Sequence, residues 1–267
     1  MGGDGLAVRR ERTARGARPV RVLALHGLAA SATAWAAFGE HASDDVELWT
    51  AELPWGVGGP TSWSHRGDPA EWIGRALAAV PGGADVLVAH SFSAVLAVEH
   101  LARAPRAVRP RALVAVSPFH RRDPADFRWD DAGHYLGIFQ EVFEEALGAA
   151  SARRLSARTR RDMALLVRDR VGPYGWRRFW ESYLRSPFVD LGGLDLPVLA
   201  VAGEHDRFAP PREAALLAAA LPRARFELLQ DCGHFPMTEQ PRAFADAVHR
   251  LIAAAATPPS AAPTRAS

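Results

Sequence analysis

The sequence predicts an α/β protein: a mostly parallel sheet with helices on both faces and an all-helical cap inserted between two of its strands. Three observations lead there. From Val20 to Ser117 short apolar runs alternate with helix-tolerant segments, the pattern of strands buried on both faces and joined by crossover helices. Over residues 118–194 the alternation stops and only helical periodicity is visible, before strand-like runs resume at Pro197. Finally, the apolar run after Asp85 passes into a helical stretch from Ser91 to Ala102 with only His90-Ser91-Phe92 between them. A chain that reverses so sharply holds its middle side chain out above the sheet edge.

At 267 residues and 48% apolar composition the chain is long enough for one domain with a large core, or one domain plus an insertion. The formal charge is near balance at +2, and the basic side consists of Arg alone. Runs such as Arg9-Arg10 and Arg153-Arg154 read as solvated faces, since no basic stripe interleaved with aromatics supports nucleic-acid binding. One cysteine, Cys232, excludes an internal disulfide and a cysteine-based zinc site. Residues 1–19 are Arg-rich without the apolar core of a secretory signal, and no apolar run reaches membrane-spanning length. The expectation is a cytoplasmic protein with neither membrane nor nucleic-acid partners.

In chain order, Leu6–Val8 and Glu11–Thr13 read as a short hairpin around Arg15-Gly16. Val20–Leu25 is a strand ending in His26-Gly27-Leu28, Ala34–Phe38 is helical, and Val46–Leu53 is the next strand. Asp68-Pro69 opens a helix through Ala79, with Asp as N-cap and Pro at the first helical position. The strand before Ser91, its helix, and the strand Ala112–Ser117 follow. In the helical block Tyr135, Ile138, Phe139, Val142, Phe143, Ala146 and Leu147 recur at helical spacing, as do Trp176, Phe179, Trp180, Tyr183 and Leu184. Such aromatic stripes usually serve packing. An insert leaving the edge that presents Ser91 is also placed to line an apolar pocket as a lid. Pro197–Ala202 is a strand, Pro210–Leu221 a helix, Arg225–Leu229 the last strand and Pro241–Ala253 the last helix. Residues 254–267, rich in Ala, Pro, Thr and Ser, read as a disordered tail. The core is thus 1–117 with 195–253, and the cap 118–194.

The chemistry concentrates at strand ends, where open parallel sheets bind ligands. Ser91, Asp206 and His234 each lie just past one. A serine hydroxyl needs a base to take its proton, an acid to hold that base, and donors for the oxyanion. His234 fits the base that later protonates the leaving group, and Asp206 fits the group that fixes its tautomer. Asp231 and the acids of Asp123–Asp131 are loop residues that compete for the latter role. The oxyanion donors are the backbone N–H groups of Phe92, at the start of a helix whose dipole favours negative charge, and of Leu28, after His26-Gly27. Ala89-His90-Ser91-Phe92-Ser93 follows the G-x-S-x-G turn with both glycines replaced by the next smallest residues.

With His26-Gly27-Leu28, this elbow, Gly203-Glu204-His205-Asp206, and Gly233-His234 followed by Glu239 and Pro241, the chain resembles the α/β-hydrolase superfamily from Val20 to Ala253. The resemblance implies an eight-stranded sheet, or one with its first strands reduced, bearing a helical cap. Two departures stand out: the replaced elbow glycines, and Pro54-Trp55-Gly56-Val57-Gly58 where relatives usually carry Pro-Gly-His-Gly.

The other candidates read as bland. His90 and His205 point away from the site by alternation, His26 hydrogen-bonds locally to shape its loop, and Cys232 lacks an elbow. No His/Glu spacing suits a metal, and Gly56–Gly59 lacks the Lys and helix of a phosphate loop. The reading is a serine hydrolase without cofactor or metal, acting on an ester, thioester or lactone of a largely apolar small molecule through an acyl-enzyme. The same residues would serve acyl transfer, cyclisation or C–C cleavage, and a non-catalytic binding protein is the remaining alternative.

Overall fold

Short runs of Val, Leu and Ala, too brief for helices, take up extended backbone and pair side by side. The computed structural model describes residues 5–65, 67–150 and 155–256, without the side chains of 146 and 148–150. In chain order the elements are β1 (Ala7–Arg12), β2 (Val20–Leu25), α1 (Ala36–His41), β3 (Val46–Glu52), α2 (Glu71–Ala78), β4 (Val86–His90), α3 (Phe92–Arg103) and β5 (Ala112–Val116). They continue with α4 (Trp129–Ala150), α5 (Ala157–Arg185), β6 (Val198–Gly203), α6 (Pro211–Ala220), β7 (Ala224–Leu229), α7 (Pro236–Glu239) and α8 (Pro241–Ala256). Among the described residues the sheet has seven strands in the order β1-β3-β2-β4-β5-β6-β7. Only β1 runs antiparallel to its neighbour. This is the arrangement with reduced first strands.

Alternation along the strands divides the core into two layers. Leu23, Leu25, Leu87 and Leu113 meet Ile73 of α2 and Phe92, Leu96 and Leu101 of α3 on one face. Val22, Ala24, Val88, Val114 and Val201 meet Phe38, Phe244 and Val248 on the other. The central strands β4 and β5 are buried along their whole length, as sheets covered on both sides require. All parallel strands therefore end at one rim, where β2, β4, β6 and β7 deliver the loops that carry Leu28, Ser91, Asp206 and His234.

Three expectations are corrected. The hairpin at residues 6–13 is instead one strand, with Ala7 opposite Glu52 and Val8 opposite Ala51. The open edge of β3 supplies a full ladder, which a local turn could not match, while the Arg15 and Gly16 amides donate to the Asp44 carbonyl at 2.7 and 3.0 Å and lead the chain toward β2. The last helix runs on to Ala256, so residues 254–256, expected in a disordered tail, are helical; residues 257–267 lie outside those described, as do Arg153-Arg154. Helix α2 begins at Glu71 with Ala70 at its N-cap, not at Asp68-Pro69; the Asp68 carboxylate accepts from the Ala70 amide at 3.0 Å in the turn before it.

Between β5 and β6 the described chain is helical or in short connections. The two aromatic stripes face each other and the sheet rim: Tyr135, Phe139, Val142, Phe179 and Tyr183 are buried, with Phe139 against Trp176 at 5.5 Å and Tyr135 against Tyr183 at 5.6 Å between ring centres. Helix α5 is broken at Gly172, whose φ of 62° suits glycine, immediately before Pro173.

A buried polar cluster fastens this helical layer to the core. Glu213 of α6 is fully buried. One carboxylate oxygen accepts from Tyr183, from Tyr135 at 3.3 Å and from the Arg121 guanidinium at 3.1 Å; the other accepts from the His120 amide at 2.9 Å. Burial pushes the Tyr135 hydroxyl up to about 12 and raises Tyr183 further, so both tyrosines keep their protons as donors; it also raises the Glu213 carboxyl. Glu99 of α3, also buried, pairs with Arg103 and with Arg185 of α5. Removing one partner of a buried pair leaves an uncompensated charge. Arg121→Met is expected to lower unfolding stability by roughly 3–5 kcal/mol, read from the shift in urea midpoint; an unchanged midpoint would show that the cluster carries little of the fold's stability.

Candidate active site

The rim of the sheet assembles from strand ends upward. Ser91 follows β4 without a loop residue and adopts φ 55°, ψ −119°, a left-handed conformation rare outside glycine. Its amide still donates to Val116 of β5 at 2.8 Å, so the ladder holds the turn in place. The replaced elbow glycines, now Ala89 and Ser93, are fully buried. The close approach falls on Gly27 instead: a Cβ there would stand 3.0 Å from the Ser91 Cβ and 2.9 Å from the His90 ring.

The structure brings Ser91, His234 and Asp206 together. His234 Nε2 lies 3.0 Å from Ser91 Oγ, and His234 Nδ1 lies 2.8 Å from Asp206 Oδ2. A carboxylate only accepts, so the ring proton sits on Nδ1 and leaves Nε2 free to accept from the serine. The other oxygen of Asp206 accepts from the Phe208 and Ala209 amides at 3.0 and 2.8 Å. Asp231, the competing acid, is 90% exposed at its side chain. The Leu28 and Phe92 amides donate no hydrogen bond among the described residues, and the first turn of α3 leaves Phe92 without an intrahelical acceptor.

The loop that carries His234 is held from several sides. Gly203 lets it pass, since a Cβ there would lie 2.1 Å from the Gly233 carbonyl oxygen. Glu239 accepts from the Gly233 amide at 2.6 Å and the Phe235 amide at 2.9 Å. The His234 carbonyl accepts from His90 Nε2 at 2.8 Å and from the Ser117 hydroxyl at 3.3 Å. His90 does point away from Ser91, as alternation requires, but toward the backbone of the neighbouring histidine. No local spacing could signal a contact 144 residues away.

Burial sets the electrostatics. His90 is held well below its ordinary range by desolvation and by His234 beside it, and His26 is lowered mainly by desolvation. Desolvation takes His120 down to about 4. Burial pushes the Cys232 thiol up to about 12, which leaves it a poor nucleophile. Glu204, His205 and Asp231 place possible metal-ligand atoms within 4.8 Å of one another, but all three are exposed.

Ser91, Asp206 and His234 are only 4, 4 and 7% exposed. The cover is aromatic: Phe208 and Phe235 stand 5.3 and 5.2 Å from the His234 ring, and Phe179 of α5 stacks on Phe208 and meets Phe92. Beside this roof runs a groove of about 490 Å³, lined by Ala29 and Val57, by Phe143 of α4, by Met163 and Leu166 of α5, and by Phe235. Its size is that of a small-molecule site. Among the described residues no helix is long and apolar enough to cross a membrane.

Comparison with known proteins agrees with this architecture. The model of the alpha/beta hydrolase family matches residues 22–247. A pimeloyl-[acyl-carrier protein] methyl ester esterase of Nitrosomonas europaea is 27% identical over 243 residues, covering 82% of this chain and 90% of the relative. A 2-hydroxy-6-oxononadienedioate/2-hydroxy-6-oxononatrienedioate hydrolase of Cupriavidus pinatubonensis is 26% identical over 253 residues, covering 86% and 85%. Among solved structures, a bacterial membrane phospholipase A superposes with a TM-score of 0.68 at 20% identity, covering 96% of this chain and 88% of the other; at that identity the likeness concerns the fold.

The lowered histidines give the fold a pH dependence of definite sign. Between the folded value and the unfolded one near 6.5, the unfolded chain binds more protons, so stability is full above about pH 6.5 and falls as the pH drops. For His120 that window extends from 6.5 to about 4. In urea titrations across this range, His120→Gln is expected to show a shallower loss of stability than the parent; an identical slope would mean that His120 is not desolvated in the folded state.

Proposed function

Because the chain belongs to the alpha/beta hydrolase family, we propose that it is a cofactor-independent serine hydrolase working through Ser91, His234 and Asp206 on an ester, thioester or lactone of a largely apolar small molecule. One observation carries the reading: the unbroken chain of hydrogen bonds from the Ser91 hydroxyl through His234 to the Asp206 carboxylate.

In this reading His234 Nε2 takes the Ser91 proton as Oγ attacks the substrate carbonyl. Asp206 holds the ring in the receptive tautomer and stabilises the imidazolium. The Leu28 and Phe92 amides receive the developing oxyanion. His234 then returns the proton to the leaving oxygen or sulfur, and the acyl group remains on Ser91. Water, deprotonated by the same imidazole, attacks that acyl-enzyme and releases the acid. Low exposure at the site strengthens each of these interactions, and it requires α4 and α5, acting as a lid, to move before substrate reaches Ser91. The groove supports an apolar substrate.

The Cupriavidus pinatubonensis relative, named for 2-hydroxy-6-oxo acids rather than for an ester, supports a second reading: cleavage of a carbon–carbon bond beside a ketone on the same residues. Turnover of p-nitrophenyl esters across chain lengths tests the first. Ser91→Ala and His234→Ala are each expected to lose about a thousandfold or more in kcat. Ester turnover that survives both changes would refute the assignment. Turnover of vinylogous diketones but of no ester would select the second reading.

A further inference from the structure

The two departures of this sequence from its relatives' pattern touch each other. Ser93, at the last elbow position, is fully buried. Its hydroxyl donates to the His26 carbonyl and accepts from the Trp55 indole N–H at 3.2 Å. The same indole N–H lies 3.5 Å from the His26 carbonyl. We propose that Ser93 and Trp55 are positioning residues for the oxyanion site, a pair that locks the Leu28 donor loop to the elbow helix; the proposal rests on the reading of the Leu28 and Phe92 amides as oxyanion donors.

The geometry follows from peptide planarity. The carbonyl of one residue and the amide of the next share a rigid plane and point in opposite directions, so fixing one aims the other. Ser93 fixes the His26 carbonyl and hence the 26–27 peptide. His26 Nε2 accepts from the Leu53 amide at 3.0 Å, which places its proton on Nδ1, and Nδ1 donates to the Gly27 carbonyl at 2.8 Å. That second bond orients the 27–28 peptide, whose N–H belongs to Leu28. Trp55 grips the same loop from its other side, its carbonyl accepting from the Ala29 amide at 2.8 Å. Ser93 is the direct neighbour of Phe92. One buried hydroxyl therefore couples the helix bearing the first amide to the loop bearing the second.

The coupling also explains why neither departure stands alone. Without Ser93 the indole N–H keeps only the long contact to His26, in a pocket closed by Phe92 and Trp63 at 5.3 and 5.8 Å from the Trp55 ring. Without Trp55 the Ser93 hydroxyl loses its donor. A misplaced amide weakens binding of the oxyanion and leaves ground-state binding largely alone, because transition-state charge is what it stabilises.

The test compares the parent enzyme with Ser93→Ala, Ser93→Gly, Trp55→Phe and the Ser93→Ala/Trp55→Phe double variant, on the best p-nitrophenyl ester. Each single variant is expected to lose roughly tenfold to a hundredfold in kcat with KM within about threefold and the pH midpoint of kcat unchanged. Affinity for an alkyl trifluoromethyl ketone, which places an oxyanion at the site, should fall by the same factor. The double variant should lose no more than the worse single one, since the two act as a unit. Wild-type kcat and ketone affinity in Ser93→Ala, or in Ser93→Gly should the alanine variant not fold, would overturn the proposal, as would a loss confined to KM or a multiplicative double variant. Failure of the underlying reading looks different: Ser91→Ala would then match the parent enzyme on the same ester.

Discussion

The backbone reversal at Ser91 is the constraint on which the rest of the structure depends. A non-glycine residue at positive φ in this region is strained by roughly 1–3 kcal/mol and persists only where its surroundings over-determine it. Here β4 is central in the sheet, the Ser91 amide is taken by Val116 of β5, and α3 is buried along almost its whole length. Neither strand nor helix can slide to relax the turn. Gly27 completes the fit, because its missing side chain is the space that Ser91 and His90 occupy. The elbow is therefore a property of the sheet, fixed from both neighbouring strands rather than by its own five residues.

The same rigidity passes outward to His234. Gly203 and Glu239 hold the loop after β7, and His90, the residue before the strained serine, donates to the His234 carbonyl. Elbow and His234 loop are thus joined by a bond that carries no charge, since burial holds the His90 ring well below its ordinary range and so neutral. A protonated imidazole 4.8 Å from the His234 ring would oppose an imidazolium there. A neutral donor holds the His234 loop without that opposition, which suits the proposed role of His234 as base.

Much of the architecture was legible in the sequence, for a physical reason: parallel strands buried on both faces read as apolar runs, and their shared rim gives the loops after them a common address. Ser91, Asp206 and His234 were legible as residues at that address, and the structure places them within hydrogen-bonding reach of one another. What was not legible rests on pairing across distance. The first strand looked like a hairpin because nothing local announces the open edge of β3. His90 looked inert because its acceptor is a backbone atom, which has no residue type to read. Ser93 and Trp55 appeared as two unrelated departures, and only the fold shows that 38 residues of chain separate the ends of one hydrogen bond.

Polar anchors are unevenly distributed along α4 and α5. Where α4 begins and α5 ends, Tyr135, Tyr183 and Arg185 are bound into buried clusters with Glu213, Arg121 and Glu99, and separating them would leave buried charged groups short of a partner. The first half of α5 has no such anchor among the described residues: it meets the core through apolar contacts and the exposed bond from Arg170 to the Gly59 carbonyl, Leu166 is 70% exposed, and the helix breaks at Gly172. Apolar contact is non-directional and tolerates sliding in a way that a hydrogen-bonded carboxylate does not. Among the described residues the end of α5 is therefore held to the core by buried polar groups, whereas its first half rests beside the groove on apolar contacts and one exposed hydrogen bond.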